Sequence, residues 1–195
     1  MANPNSPFGF SWRGTINGPV NFAVGQRKIS SSYTTAIFYG DAVVPIISTA
    51  TGYIGQATAS TTPMAGIFYG CSYYSTSQKK TVLNNYWPGS DATGDVTAFI
   101  CEDPNATFLV QAGATNIGFA KIGQNVQLNV GTGSTTTGYS GMFIDTVATT
   151  STYPFIITGV PSDATDPVST TGYNWVNVTW NYMIYKAGTA AGSIA

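Results

Sequence analysis

The sequence predicts an all-β protein, and three observations point to this class. Residues that favour helices are scarce, because leucine occurs only at Leu83, Leu109 and Leu128 and Glu102 is the single glutamate. Thr, Ser, Val, Ile, Tyr, Phe and Gly take their place, and these residues suit pleated strands and tight turns. Apolar and polar residues also alternate in several segments, which is the period of a half-buried strand.

This alternation is clearest in residues 125–130 and in the longer run 176–184. In the longer run one predicted face carries Val176, Val178, Trp180, Tyr182 and Ile184, and the other carries Asn177, Thr179 and Asn181. We therefore expect a long C-terminal strand there. Further strands are predicted at residues 33–39, 42–47, 52–57, 65–73, 99–101, 107–110, 116–122, 142–147 and 153–157.

Turn residues separate most of these segments. Asp103, Pro104 and Asn105 take the first three positions of a type I turn, so we expect a hairpin between 99–101 and 107–110. Residues 1–10, 75–93 and 131–141 read as irregular. About ten short strands predict a single-domain antiparallel barrel or a jelly-roll-like sandwich. We divide the chain into an extended N-terminal arm (1–15), an all-β domain (16–185) and a flexible C-terminal tail (186–195).

Charge is sparse along the whole chain. Of its 195 residues 43% are hydrophobic and only 8% charged, with a net charge of -1. This composition excludes a disordered protein, and it is unusual for a free monomer, so we expect much of the surface to contact a partner. Seven Lys and Arg residues are too few for an electrostatic nucleic-acid binder. The basic doublets Arg27-Lys28 and Lys79-Lys80 read as solvated turns.

No segment of the sequence predicts a membrane span or a secretion signal, so we expect no membrane partner. Cys71 and Cys101 lie in apolar or aromatic runs, and we expect them to be reduced, buried thiols. A disulfide between two neighbouring strands is the alternative.

Residue types that support catalysis are few. The chain contains no histidine, which is the commonest general base and metal ligand. Two carboxylate pairs, Asp91 with Asp95 and Glu102 with Asp103, could in principle serve glycoside hydrolysis, but both lie in turn-like sequence. We therefore predict a protein that is not an enzyme, with no cofactor, no metal site and no small-molecule substrate.

An aromatic pair in a polar segment is the remaining candidate site. Tyr86 and Trp87 follow two asparagines and precede Pro88 and Gly89. Three interpretations stay open: a side chain folded into the core, an anchor in a protein interface, or a platform for a glycan.

The order of several short motifs, spread from Asn3 to about Tyr185, resembles the cement (decoration) proteins of tailed-bacteriophage capsids. The motifs are Asn5-Ser-Pro-Phe-Gly-Phe10, Ala36-Ile-Phe-Tyr-Gly-Asp41, Ala65-Gly-Ile-Phe-Tyr-Gly-Cys71, Tyr86-Trp-Pro88, Glu102-Asp-Pro-Asn105 and Trp175-Val-Asn-Val178. Residues 131–140 and the last ten residues carry no part of the resemblance.

The resemblance implies a homotrimer that is made in the host cytoplasm. It would sit on the capsid exterior where major capsid protein subunits meet and stabilise the shell. We expect the interface with the capsid or a neighbouring protomer to include Asn3, Pro4, Asn5, Pro7, Phe8, Phe10, Tyr86 and Trp87. The alternative is a glycan-binding adhesin or tail-fibre domain, and a third hypothesis is a glycosidase-like hydrolase.

Overall fold

A computed structural model describes residues 3–16, 22–47, 52–58, 63–161 and 168–186, and it confirms the all-β prediction. The architecture is a sandwich of two antiparallel sheets and not a closed barrel. The described residues form twelve strands: β1 (Ser11–Thr15), β2 (Gly25–Ile29), β3 (Ala42–Pro45), β4 (Ile54–Gln56), β5 (Gly66–Ser75), β6 (Lys80–Asn84), β7 (Val96–Cys101), β8 (Ala106–Gln111), β9 (Asn125–Asn129), β10 (Phe143–Ala148), β11 (Phe155–Gly159) and β12 (Trp175–Trp180).

The strands divide into two six-stranded sheets. Sheet A has the order β1-β8-β12-β11-β9-β10, and sheet B has the order β2-β7-β5-β3-β4 with β6 paired to β5. Strand β5 is ten residues long, so β3 and β6 both pair with it, at its start and at its end respectively. Among the described strands, four pairs join consecutive strands, and the other six join strands that are not consecutive in the chain, as the crossing connections of sandwiches require.

Two hydrophobic cores lie on the two faces of sheet B. The first core fills the space between the sheets and contains Phe10, Phe108, Phe155 and Trp180. The second core includes Phe68 and lies on the other face of sheet B, where loop residues Ile37 and Trp87 cover it. Alternation along the strands distributes side chains between the cores, since successive residues point to opposite faces.

A β-bulge in β5 reverses this alternation. Ile67 packs in the first core and Phe68 in the second, whereas Cys71 and Tyr73 both belong to the second. The register shift lies between Phe68 and Cys71 and contains Gly70, whose φ is 133°. A Cβ at Gly70 would lie 2.9 Å from the Asn84 carbonyl oxygen, so glycine fits both the conformation and the space.

The predicted hairpin at Asp103 is wrong, although the turn itself forms. The Ala106 N–H donates to the Asp103 carbonyl at 3.1 Å, as in a β-turn. Strand β7 nevertheless pairs within sheet B, while β8 pairs with β1 and β12 in sheet A. The turn thus joins the two sheets, and strand partners distant in sequence outweigh the local hairpin signal.

Two predicted strands are absent from the described residues. Residues 33–39 form a loop with isolated bridges at Ile37 and Tyr39, because they cover the second core and have no neighbour for a ladder. Residues 116–122 contain a 3₁₀ turn at Phe119–Lys121. Ile117 is buried there, but Phe119 is 62% exposed, so alternation does not continue.

Three strands fall where none was predicted. Strand β1 lies inside the predicted arm, β2 contains the doublet Arg27-Lys28 that was read as a turn, and β6 lies inside the predicted loop 75–93. Lys79 does lie in the turn before β6, with a φ of 55°.

The C-terminal strand is shorter than predicted. It ends at Trp180, where the Asn181 and Tyr182 amides both donate to the Pro154 carbonyl and turn the chain. Thr179 and Asn181, predicted to face outward, are each only 3% exposed and donate to backbone carbonyls. The predicted tail lies outside the described residues except for Lys186.

Candidate functional site

The described part of the predicted N-terminal arm packs against the rest of its own chain, where a buried glutamine binds its backbone. The Gln111 side chain, 2% exposed, accepts from the Ser6 N–H at 2.8 Å and donates to the Pro4 carbonyl at 2.9 Å. Asn3 donates from its side chain to Asn174 at 3.2 Å. A side-chain amide that uses both its donor and its acceptor on one peptide segment fixes the register of that segment.

Two aromatic residues anchor the rest of the arm. Phe8 is half-buried and contacts the Trp175 ring edge-on at a centroid distance of 5.8 Å. Phe10 is fully buried and stacks on Phe155 at 4.4 Å. The described part of the predicted arm therefore belongs to the folded domain, since Phe10 packs in the first core.

The outer side of the arm remains at the surface. Pro4, Asn5 and Ser6 are exposed, and Pro7 is half-buried. Of the predicted interface residues in the arm, Phe10 has no accessible area, and the others keep some: Asn3, Pro4, Asn5, Pro7 and Phe8.

The second predicted element, the Tyr86-Trp87 pair, is mostly internal. Trp87 is fully buried, and its indole N–H donates to the Tyr33 carbonyl at 3.1 Å. Tyr86 is half-buried and stacks on Phe38 with an interplanar angle of 8°. Of the three interpretations, the structure supports the core side chain for Trp87, because a surface platform or anchor needs an accessible ring.

Aromatic rings do reach the surface elsewhere, in a continuous row. Edge-to-face contacts link Trp12 to Phe22, Phe22 to Tyr69, Tyr69 to Tyr39 and Tyr39 to Tyr139, with centroid distances of 4.9–5.4 Å. Phe22 is 43% and Tyr139 52% exposed. Burial raises the pKa of Tyr39 and of Tyr69, so these rings stay neutral at physiological pH.

The row borders an apolar groove on sheet B. This groove, about 570 Å³, is lined mainly by Phe22, Val24, Tyr69, Leu83 and Phe99, and we call it the apolar groove. In strand register, Phe99 lies on the same face of β7 as Cys101, which packs in the first core. Cys101 is fully buried on that face, whereas Phe99 is half-buried and lines the apolar groove, so the apolar groove continues the internal face of the sandwich.

Strand β6 forms one wall of the apolar groove, and only one of its two edges is paired with another strand among the described residues. Its ladder is to β5, and the backbone hydrogen bonds between described residues add no strand on its other side. Leu83 is 78% exposed, an unusual value for an aliphatic strand residue. A second depression of about 460 Å³ follows the strand, lined by Gln78 and residues 80–84.

Sequence reasoning missed the apolar groove and β6. The segment Thr81-Val82-Leu83 has the β-branched and apolar residues of a strand, and this was the available signal. Its shortness and the neighbouring Lys, Gln and Asn residues made it read as loop.

The candidate catalytic carboxylates each have a structural partner. Asp91 accepts from Ser75 and Thr76 hydroxyls at 2.7 and 2.9 Å, and these hydrogen bonds, chiefly that of Ser75, lower its pKa to about 2. Asp95 accepts from the Tyr53 hydroxyl at 2.8 Å.

The carboxylates of the second candidate pair, Glu102 and Asp103, also have separate partners. Glu102 forms an ion pair with Arg27, with 2.6 Å between the charged atoms. Asp103 caps its own turn by accepting from the Asn105 N–H at 2.8 Å. Among the described residues no three His, Cys, Asp or Glu side chains are grouped as metal ligands.

Both cysteines are free and buried, as predicted. Cys101 packs in the first core and Cys71 in the second, so they point to opposite faces of sheet B and cannot pair. Burial raises the pKa of Cys71 to about 12 and that of Cys101 to about 11, which keeps both as unreactive thiols.

One buried carboxylate supports the region between the sheets. Asp41 is 1% exposed and accepts from the Phe38 N–H and the Gln56 side-chain amide, both at 2.8 Å. Burial raises its pKa despite these donors. The adjacent Gly40 carbonyl accepts from the Phe10 N–H at 2.9 Å, so this loop also holds the arm.

Comparison of the chain with protein-family models, with curated proteins and with solved structures finds no significant match. The resemblance to capsid cement proteins therefore stays a prediction from the sequence motifs. No helix within the described part of the chain is long and apolar enough to cross a membrane.

Proposed function

We propose that this chain is a virion structural protein, a cement protein that binds the outer surface of a tailed-phage capsid. It would lie between major capsid protein subunits, as a homotrimer, and stabilise the shell. Exposed apolar and aromatic side chains in and beside the apolar groove are the observation that carries this proposal. Leu83 and Phe22 in the apolar groove, and Tyr139 beside it, are 78%, 43% and 52% exposed.

Such a surface is suited to a protein–protein interface. Apolar patches on soluble proteins mark contact sites, and the centres of protein interfaces are poor in charged residues. The lining of the apolar groove contains two asparagines and no charged residue. The sheet is held by a core on each face, so binding would cost little ordering of the backbone.

Stabilisation of the shell follows from mass action. A protein that binds only the assembled shell stabilises it by about 2.7 kcal/mol per site when its free concentration is roughly 100 times Kd. Many sites on one shell multiply this effect without any chemistry.

The test uses shells assembled from the major capsid protein without this chain. Purified chain is added, the bound copies are counted by imaging, and the temperature of shell rupture is measured by light scattering. We expect saturable binding as three-lobed knobs between capsomers, and a rupture temperature that rises with occupancy. Shells that bind no chain, or that rupture at the same temperature when fully occupied, would contradict the proposal.

A further inference from the structure

Strand β6 has the properties of an open sheet edge. Natural sheets usually protect their edges with charged residues, proline, bulges or a covering segment. Strand β6 contains no proline, its only charged residue is Lys80 at its first position, and Thr81 and Leu83 are exposed. No described residue pairs with its outward N–H and C=O groups, which can therefore receive an added strand.

The surroundings of β6 determine what kind of strand fits. Leu83 lines both the apolar groove on the sheet face and the depression along the strand. An added strand would place alternate side chains next to Leu83 and over the apolar groove, so those residues should be apolar. At the other end of β6, exposed Lys79 and Lys80 stand without a carboxylate in the lining of either depression.

We propose that β6 binds an extended segment of the major capsid protein by strand addition, with an Asp or Glu of that segment beside Lys80. Main-chain hydrogen bonds supply the affinity in this mode, and side-chain pockets supply the specificity. This inference rests on the proposed function and names the surface that carries it out.

Charge complementarity favours an acidic capsid segment over a second copy of β6. Strand β6 contains no carboxylate, so pairing two copies through β6 would leave Lys80 without a counter-charge. A partner segment with an acidic residue supplies that charge.

The experiment compares two lysine substitutions at equally exposed aliphatic residues. Leu83→Lys changes the β6 edge, and Ile47→Lys is the matched control, since Leu83 is 78% and Ile47 77% exposed. Titration against chain-free shells, followed by sedimentation, gives an apparent Kd for each variant. We expect Leu83→Lys to raise Kd by about tenfold or more, as loss of one buried leucine contact predicts, and Ile47→Lys to leave it unchanged.

Hydrogen exchange on the wild-type complex separates strand addition from a side-chain contact. We expect the outward-facing β6 amides, which do not bond to β5, to exchange fast in the free chain and slowly on the shell. Unchanged β6 exchange on the shell overturns strand addition, even if Leu83→Lys binds weakly. Self-association of the free chain that Leu83→Lys abolishes assigns the edge to a second copy and also overturns the inference.

The remaining outcomes distinguish this inference from the proposed function. If wild-type chain binds no shells, the proposed function fails and the inference fails with it. If wild type and Leu83→Lys bind equally well, the inference fails while the proposed function stands.

Discussion

Phe10 offers the sharpest test of how the arm and the core are connected. The residue lies one position before β1, in a segment that sequence reasoning assigned to an extended arm. In the structure it is fully buried, stacks on Phe155 and contacts Phe108 edge-on at 6.3 Å. Its carbonyl also accepts from the Tyr69 hydroxyl at 3.2 Å. Phe10→Ala should therefore behave as a core truncation.

The size of the effect follows from burial. Replacing a fully buried phenylalanine by alanine costs about 3–5 kcal/mol, and aromatic pairing is part of that cost. Domains are stable by about 5–15 kcal/mol, so the variant loses a large share of its free energy of unfolding. With a urea m-value of about 1–3 kcal/mol/M, the unfolding midpoint should fall by roughly 1–5 M.

Urea unfolding followed by tryptophan fluorescence measures this loss. Phe8→Ala is the matched control, because Phe8 is half-buried and contacts the partly exposed Trp175. We expect the control to lose about 1 kcal/mol. A loss below about 1 kcal/mol for Phe10→Ala, or equal losses for the two variants, would refute the assignment of Phe10 to the core.

Four further predictions concern single contacts. Gln111→Ala should speed hydrogen exchange at the Ser6 amide while β8 stays protected; unchanged exchange would show that Gln111 does not hold the arm. Trp87→Ala should cost about 3–5 kcal/mol of unfolding free energy in urea and leave binding to shells unchanged, and weakened binding by a folded variant would contradict its internal position. Asp91 has a folded-state pKa of about 2, below its ordinary value, so its contribution to the free energy of unfolding is present above pH 4 and is lost as pH falls towards 2. Asp91→Ala should remove that part of the loss of stability in acid. Asp41 has a raised pKa, so its contribution to the free energy of unfolding is present at low pH and falls as pH rises through that pKa. Asp41→Asn should flatten this part of the plot of unfolding free energy against pH. An unchanged plot would contradict the role of its burial.

Part of the candidate site could be read from the sequence. The arm was identified as a special segment, and Asn3, Pro4, Asn5 and Pro7 do keep accessible surface. The sequence left the role of Trp87 open, because a tryptophan between Tyr86 and Pro88 has the same local sequence in a loop at the surface and in one that covers a core. The exposure of Leu83 could not be predicted from the sequence, because it depends on how the two sheets assemble.

The sequence by itself determined the all-β class, most strand positions and the local turns, because these depend on propensity and on alternation between neighbouring residues. It also determined that charge is sparse over the whole surface. Only the tertiary structure decided that the turn at Asp103 joins two sheets, that Gly70 reverses the alternation in β5, and that β6 lies at an open edge. Each of these depends on contacts between residues far apart in the chain, where the free energy of burial outweighs local preference.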